Sequence, residues 1–330
     1  MENKKKTIKA VAPFAHPGFL NFKQAPFAAW VRNGGLVAQE HYPPRWLHGA
    51  AYRWELPTIW KSRKEARLRF VEPVSLSFDS FPDYARYEVV PMFWDCWPRY
   101  FEKTCRWLRK HGVRTAIFSS RQTAEMMQER FSGKNEGWQE INIIWCPEAV
   151  DDSVYQRGNL LKDRNIDLLE FGRSNDKVFK ADQLKVVFDN RNRSLNHVCT
   201  KKNGKFIYTN EQLYEAMGNA KVTIALPRSI TQPEIAGEIE TLTQRYWECM
   251  FSRMVMVGHA PQELVDFIGY NPVIELREDI SAEALIRDVL EHIDDYQELV
   301  DKNRETAERL GSWDVRMEWL MEELREDFSL

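Results

Sequence analysis

The sequence predicts an α/β protein of two domains, and three observations predict it. At 330 residues the chain is longer than one common core fills. Short apolar runs alternate with longer stretches of helical period, the mark of βα units around mainly parallel sheets. Around residues 147–163 the pattern turns polar, which places a junction between two such series. The expected organisation is a first domain over 1–152, a second over 153–312, and a terminal helix over 313–330 that packs back on the first.

In the first series, residues 87–94 read as a buried strand and 98–111 as a helix closed by Gly112. A strand over 113–119, a helix over 121–131 and a strand over 141–146 follow. Residues 15–65 show Pro, Gly and Trp without a clear period, so loops and short helices are expected there. The second series starts with a strand over 167–171. Its further strands are expected at 205–208, 222–226, 255–257 and 273–275. Helices fit at 211–220, 244–254, 261–269, 282–292 and 296–310. In the last segment Trp313, Val315, Met317, Leu320, Met321 and Leu324 recur at helical spacing, so that helix covers something with one face.

Composition narrows the function classes. Hydrophobic residues make up 43% and charged residues 29%, so both halves can bury a core. A net charge of −3 argues against a chain built to coat nucleic acid. Cys96, Cys105, Cys146, Cys199 and Cys249 lie far apart and show no zinc-ligand spacing, which reads as reduced, mostly buried thiols. No run of about 18 apolar residues occurs, so no membrane-spanning segment is expected. The short apolar run at 8–14, broken by Pro13, does not make a secretion signal. The protein is expected in the cytoplasm, with at most peripheral contact with the inner face of the membrane. Lys4-Lys5-Lys6 reads as a solvated terminus.

Two stretches carry the chemistry. Thr241 followed by Gln244 is a capping-box pattern that predicts a helix starting just after Thr241. The free N–H groups and dipole of such a start attract an anion. Glu240 stands just before it and Glu248 two turns in, where their carboxylates could accept hydrogen bonds from sugar hydroxyls. The other stretch runs from Leu168 to Arg173, an apolar strand ending in Gly172-Arg173, the edge where open α/β sheets bind ligands. Gly172 permits close backbone approach, Arg173 offers a fork for phosphate oxygens, and Lys177 and Lys180 add charge. Taken singly, either stretch also reads as an ordinary helix face or βα turn.

Their order and spacing resemble the donor domain of GT-B glycosyltransferases, in particular the spore-maturation-protein-like branch. The resemblance covers residues 146–330. Pro147-Glu148-Ala149-Val150-Asp151 is similar to the family's interdomain segment, and Leu168 to Arg173 to its first strand and turn. Phe206 to Thr209 is similar to the loop before the next helix, and Ala220 to Pro227 to the following strand. Glu240 and Glu248 match the paired glutamates, and Arg245 to Met250 the helix that carries the second of them. Ser312-Trp313-Asp314 with Arg316 resembles the terminal helix.

The resemblance implies two Rossmann-like domains facing a cleft, and glycosyl transfer from a nucleotide-sugar. It implies that Glu248 binds the ribose hydroxyls and that Glu240 contacts the donor sugar. Arg173 and Lys177 would hold the diphosphate, with Gly172, Thr241 and Arg245 beside it, and Tyr208 and Thr209 would lie near the base. One departure stands out: Thr241-Leu242-Thr243 replaces the glycines that usually follow the first glutamate. If the pair acts as in the retaining branch, anomeric configuration is kept.

Arg173, a lysine and a helix start would stabilise the leaving diphosphate electrostatically, which needs no metal or other cofactor. Asp151-Asp152 and Asp294-Asp295 read as a turn and a solvated helix face, not as metal ligands. The acceptor, a surface glycan or similar hydroxyl compound, should meet the first domain. His16 and Asp95 are the candidate bases there, with His41 and His48 as alternatives. Trp94, Trp97, Tyr100 and Phe101 could stack on a sugar or fill the core. A GT-B-fold epimerase and a non-catalytic nucleotide- or glycan-binding module are the alternative functions.

Overall fold

The computed structural model describes residues 5–13, 22–39, 44–54, 57, 61–132, 140–173, 178–180, 182–185, 194–202 and 205–330. The chain divides into two compact units, Met1–Glu148 with Trp313–Leu330, and Ala149–Ser312.

The first unit holds a six-stranded sheet. In chain order its strands are β1 (Lys6–Ala10), β2 (Glu65–Val71), β3 (Glu88–Phe93), β4 (Thr115–Phe118) and β5 (Asn142–Trp145). They lie side by side in that order, all parallel, and Phe328–Ser329, numbered β13 below, pairs parallel with the free edge of β1. β3 is buried along its whole length, as its continuous apolar run requires of a central parallel strand. β2 is the strand that the sequence hid. No element was expected over 66–71, and its two arginines, Arg67 and Arg69, are both buried. Arg69 donates to Asp83 at 2.6 Å, and Arg67 pairs with Glu65 at 2.9 Å with its guanidinium 3.8 Å from the centre of the Tyr87 ring. Buried charge is tolerated where it is paired and hydrogen-bonded. The helix Trp313–Leu324 packs on the helix Gln24–Arg32, and Trp313 meets Trp94 edge-on at 6.0 Å.

The second unit is built on β6 (Ile166–Glu170), β7 (His197–Cys199), β10 (Ala220–Ala225), β11 (Val255–Gly258) and β12 (Val273–Glu275). β8 (Lys201–Lys202) and β9 (Lys205–Phe206) form a separate antiparallel pair. The expected sheet strand at 205–208 is therefore corrected to one arm of a small hairpin. Its apolar residues Phe206, Ile207 and Tyr208 give the strand signal, but Lys205 and Phe206 pair locally with Lys202 and Lys201 instead of with the main sheet. In the main sheet the order is β12-β11-β10-β6-β7, all parallel. The first strand of the unit thus has the second on one side and the third on the other. The order reverses between β6 and β10, and open α/β sheets bind ligands beyond the strand ends at such a reversal.

The helix Gln244–Phe251 supplies much of the core of this unit: Tyr246, Trp247, Cys249 and Met250 are fully buried. It starts at Gln244 with Thr243 in the capping place and no side-chain cap. This start agrees with the helix expected over 244–254, and the capping role expected of Thr241, with a start just after it, is corrected. Thr241 and Leu242 are buried, and Glu263 accepts the Leu242 N–H at 3.4 Å, so tertiary burial of this loop overrides the local capping pattern. The helix also ends before the expected residue 254, because Arg253 takes a left-handed φ of 54°. Arg164, 3% exposed, joins the unit at its base by donating to the carbonyls of Ala220 (2.7 Å) and Ser252 (2.9 Å).

Gly258, the last residue of β11, is fixed by close backbone approach. A Cβ there would run into the Ala225 carbonyl of β10. Gly258→Ala is expected to cost about 1–3 kcal/mol, the usual penalty of overpacking, because main chain cannot swing aside. Urea unfolding checks this, and a midpoint equal to wild type would refute it.

Cys96, Cys105, Cys146 and Cys249 are buried thiols in no disulfide, and Cys199 is exposed. Among the described residues no helix is long and apolar enough to cross a membrane.

Candidate nucleotide-binding site

The site lies where β6 ends. Phe171 closes the strand, and Gly172 turns the chain with a φ of 73°, a conformation that costs glycine nothing. Arg245, from the first turn of the helix Gln244–Phe251, lays its guanidinium on this turn. Its Nη2 donates to the Phe171 carbonyl at 3.0 Å, and the group stands 5.2 Å from the centre of the Phe171 ring. A Cβ on Gly172 would overlap the same guanidinium, so glycine makes the contact available. Arg245 is 8% exposed, and its Nη1 finds no hydrogen-bond partner among the described residues. The Oγ1 of buried Thr241 is in the same condition. Buried donors without acceptors call for an explanation, and a bound anion supplies acceptors.

Glu248 lies three residues beyond Arg245 on the same helix. Tyr155 donates its hydroxyl to Glu248 Oε1 at 3.2 Å, and the Tyr155 ring is held between Tyr214 (5.3 Å) and Phe251 (5.9 Å). Burial pushes the Glu248 carboxyl above the usual carboxylate range, while the Arg245 charge and the Tyr155 hydrogen bond pull the other way. Burial wins.

Glu240, in the loop before the helix, contacts His259 with both oxygens, at 3.1 and 3.3 Å from Nε2. The other ring nitrogen of His259 is 2.8 Å from Glu275 at the end of β12. Arg173 is partly buried on the Gly172 turn, and its charge and that of Glu240 both act on Tyr246. Thr209 caps the helix Asn210–Asn219 in a reciprocal capping box with Gln212, and Tyr208 beside it is partly buried. Lys177 lies outside the described residues, as do His16 and His41 of the first unit.

In the first unit, Asp95 is exposed just past the end of β3, in a left-handed turn with φ 52°. His48 is buried against Phe78 and Phe81, and burial pulls its ring below the ordinary imidazole value, so it is a core residue. Trp94 and Trp97 are buried too and serve the core, with Trp94 against Phe70 at 6.1 Å. Among the described residues no three His, Cys, Asp or Glu side chains gather in a way that could hold a metal ion.

Tyr155, His259 and Glu275 are absent from the sequence reading. The available signal was position: His259 and Glu275 stand at the C-terminal ends of two expected strands, where ligand-facing residues of a parallel sheet collect.

No family model and no curated protein matches the chain. Solved structures do. Sucrose-phosphate synthase from Thermosynechococcus elongatus aligns over 98% of this chain and 99% of its own, with a TM-score of 0.55 and 11% identity. Anabaena Alr3699/HepE, in complex with UDP and glucose, aligns over 97% and 100%, with a TM-score of 0.58 and 11% identity. A trehalose-6-phosphate synthase aligns over 97% and 99%, with a TM-score of 0.61 and 6% identity. The chain has the fold of the GT-B glycosyltransferases, with a Rossmann-like parallel sheet in each of its two units.

Proposed function

We propose that this protein transfers a sugar, of the hexosyl class, from a nucleotide-sugar to a hydroxyl acceptor without a metal, in the synthesis of a surface glycan. The observation that carries the reading is Arg245 lying on the Gly172 turn while Glu248, on the same helix, stands ready for a diol. A diphosphate against the turn would meet the charges of Arg173 and Arg245 and the Thr241 hydroxyl. The ribose hydroxyls would donate to Glu248, and the sugar would lie toward Glu240. Breaking the bond from the anomeric carbon to the diphosphate oxygen leaves charge on the diphosphate, and preorganised cations lower that barrier. The acceptor oxygen bonds to the anomeric carbon and its proton passes to a base. Asp95 is the candidate for that base within the described residues, and His16 the candidate outside them. HepE, with UDP, glucose and UDP-glucose in its complexes, supports the choice of donor class.

The sequence departure bears on where the phosphate sits. The Leu242 N–H, at a position where the family places glycine, is already taken by Glu263. Phosphate binding then falls on the arginines and the Thr241 hydroxyl rather than on loop amides. This same feature favours the alternative of a binding module without turnover, which a transfer assay with mixed acceptors separates from an enzyme.

Calorimetric titration with UDP- and GDP-sugars tests the reading: one of the two series is expected to bind, and no binding of any nucleoside diphosphate would end it. Tyr155→Phe is expected to weaken that binding about fivefold, since one hydrogen bond to Glu248 contributes about 1 kcal/mol. An unchanged dissociation constant would remove Tyr155 from the site.

A further inference from the structure

Three titratable side chains from separate parts of the sequence meet at the C-terminal edge of the second sheet. His259 follows β11, Glu275 ends β12, and Glu240 lies in the loop before the helix Gln244–Phe251. The ring is set between two carboxylates: Nδ1 is 2.8 Å from Glu275 Oε2, and Nε2 is 3.1 Å from Glu240 Oε1. An ionised carboxylate only accepts hydrogen bonds. Both contacts are satisfied at once only if each ring nitrogen carries a hydrogen, and such a ring is an imidazolium. A neutral ring would turn one lone pair toward a carboxylate.

The ring is held in place by its own main chain and by its buttress. The His259 N–H donates to the Ala225 carbonyl at 2.9 Å, and the His259 carbonyl accepts from the Tyr246 hydroxyl at 2.7 Å. Glu275 is fixed in turn by the Ala260 N–H (2.9 Å) and the Asn271 amide (2.8 Å). His259, Glu240 and Glu275 keep side-chain exposures of 36%, 29% and 37%, which leaves the cluster open to a ligand.

We propose that His259 is a cationic positioning residue, which orients Glu240 for the donor sugar and makes donor binding depend on pH. This rests on the donor-site reading given above. The charges at the cluster decide the sign. Glu240 and Glu275 face the ring, Glu263 from the helix Gln262–Ile268 holds the Glu240 loop through Leu242, and Arg173 acts on the neighbouring Tyr246. With the ring charged, its two carboxylates and one cation sum to −1. With the ring neutral they sum to −2, and an incoming diphosphate meets more repulsion. Burial works against the charged ring, but the hydrogen bond it donates to Glu275 and the charges of both carboxylates outweigh it. The imidazolium therefore persists above the ordinary imidazole range and is lost as pH rises further.

Two measurements on the full-length protein test this. Ring nitrogen NMR of His259 is expected to show both nitrogens protonated at pH 7, with the titration midpoint lowered in Glu275→Gln. A neutral ring at pH 7 overturns the proposal. Titration with UDP-glucose and with UDP between pH 6 and pH 9 reads the consequence. Wild type is expected to lose about tenfold in UDP-glucose affinity across that range, the effect of one added charge at close range. His259→Gln is expected to start weaker at pH 6, to show no such limb, and to lose more affinity for UDP-glucose than for UDP. A charged ring with a flat wild-type profile overturns the positioning role. A charged ring with no nucleotide binding at any pH sinks the donor-site reading, and the role with it.

Discussion

Replacing Glu248 by Gln is expected to weaken nucleoside-diphosphate binding about a hundredfold, while stability at neutral pH holds or rises. The two effects have one origin. A carboxylate accepts hydrogen bonds from both ribose hydroxyls, each contributing about 1.5–3 kcal/mol because the acceptor is charged. The amide oxygen of Gln is neutral and shares its end of the side chain with a donor, so about 2.7 kcal/mol, or a hundredfold, is lost. The stability effect follows from burial, which raises the folded-state pKa of Glu248 above its unfolded value. The stabilisation linked to that raised value is complete below the unfolded pKa and is lost as pH rises through the folded one. At neutral pH the ionised group carries the full burial penalty. Gln escapes it and still accepts the Tyr155 hydroxyl. Thermal unfolding at pH 5 and pH 7.5 should therefore show the variant gaining on wild type as pH rises. A melting temperature several degrees lower at neutral pH would contradict the account, as would unchanged nucleotide affinity.

Arg245→Ala is expected to abolish measurable nucleotide binding and to lower stability by about 1–3 kcal/mol, the usual cost of leaving a buried polar group, here the Phe171 carbonyl, without its partner. The substitution strips the Phe171 carbonyl of its donor and leaves the partly buried Glu248 without the charge that offsets its desolvation. Arg245→Lys should recover part of the stability but less of the binding, since an ammonium cannot fork onto two phosphate oxygens. Gly172→Ala offers a control that leaves Arg245 in the chain. The added methyl displaces the guanidinium, and the left-handed φ costs about 1–2 kcal/mol. It should reduce binding with the smaller loss of stability. The checks are urea unfolding and UDP titration of all three variants. Wild-type UDP affinity in Arg245→Ala would remove this guanidinium from the site.

Much of the second unit was legible because its strands end where apolar runs meet turns. β6, β10, β11 and β12 fall within a residue or two of their expected places at 167–171, 222–226, 255–257 and 273–275. β2 was not legible, because its two arginines are paired with Asp83 and Glu65, with Tyr87 stacked on Arg67, and no local pattern announces those partners. The helix start at Gln244 agrees with the helix expected over 244–254, but the capping role read for Thr241 failed for a related reason. Thr241 has the right spacing for a cap, but the fold uses it and Leu242 to close the core. In the candidate site, Gly172-Arg173 and the spacing of Glu240 from Glu248 could be read along the chain. Tyr155 could not, being 93 residues from the carboxylate it meets. The His259 bridge was equally hidden, because parallel pairing of β11 with β12 is what sets His259 beside Glu275.

The proposed transfer requires that the reversal point of the second sheet receive a nucleotide-sugar. A crystal structure of the protein with UDP or a UDP-sugar tests it most directly. The diphosphate is expected against the Gly172 turn within reach of Arg173 and Arg245, with both ribose hydroxyls on Glu248 and Glu240 toward the sugar. A nucleotide seated away from these residues, with Glu248 still bonded only to Tyr155, would contradict it.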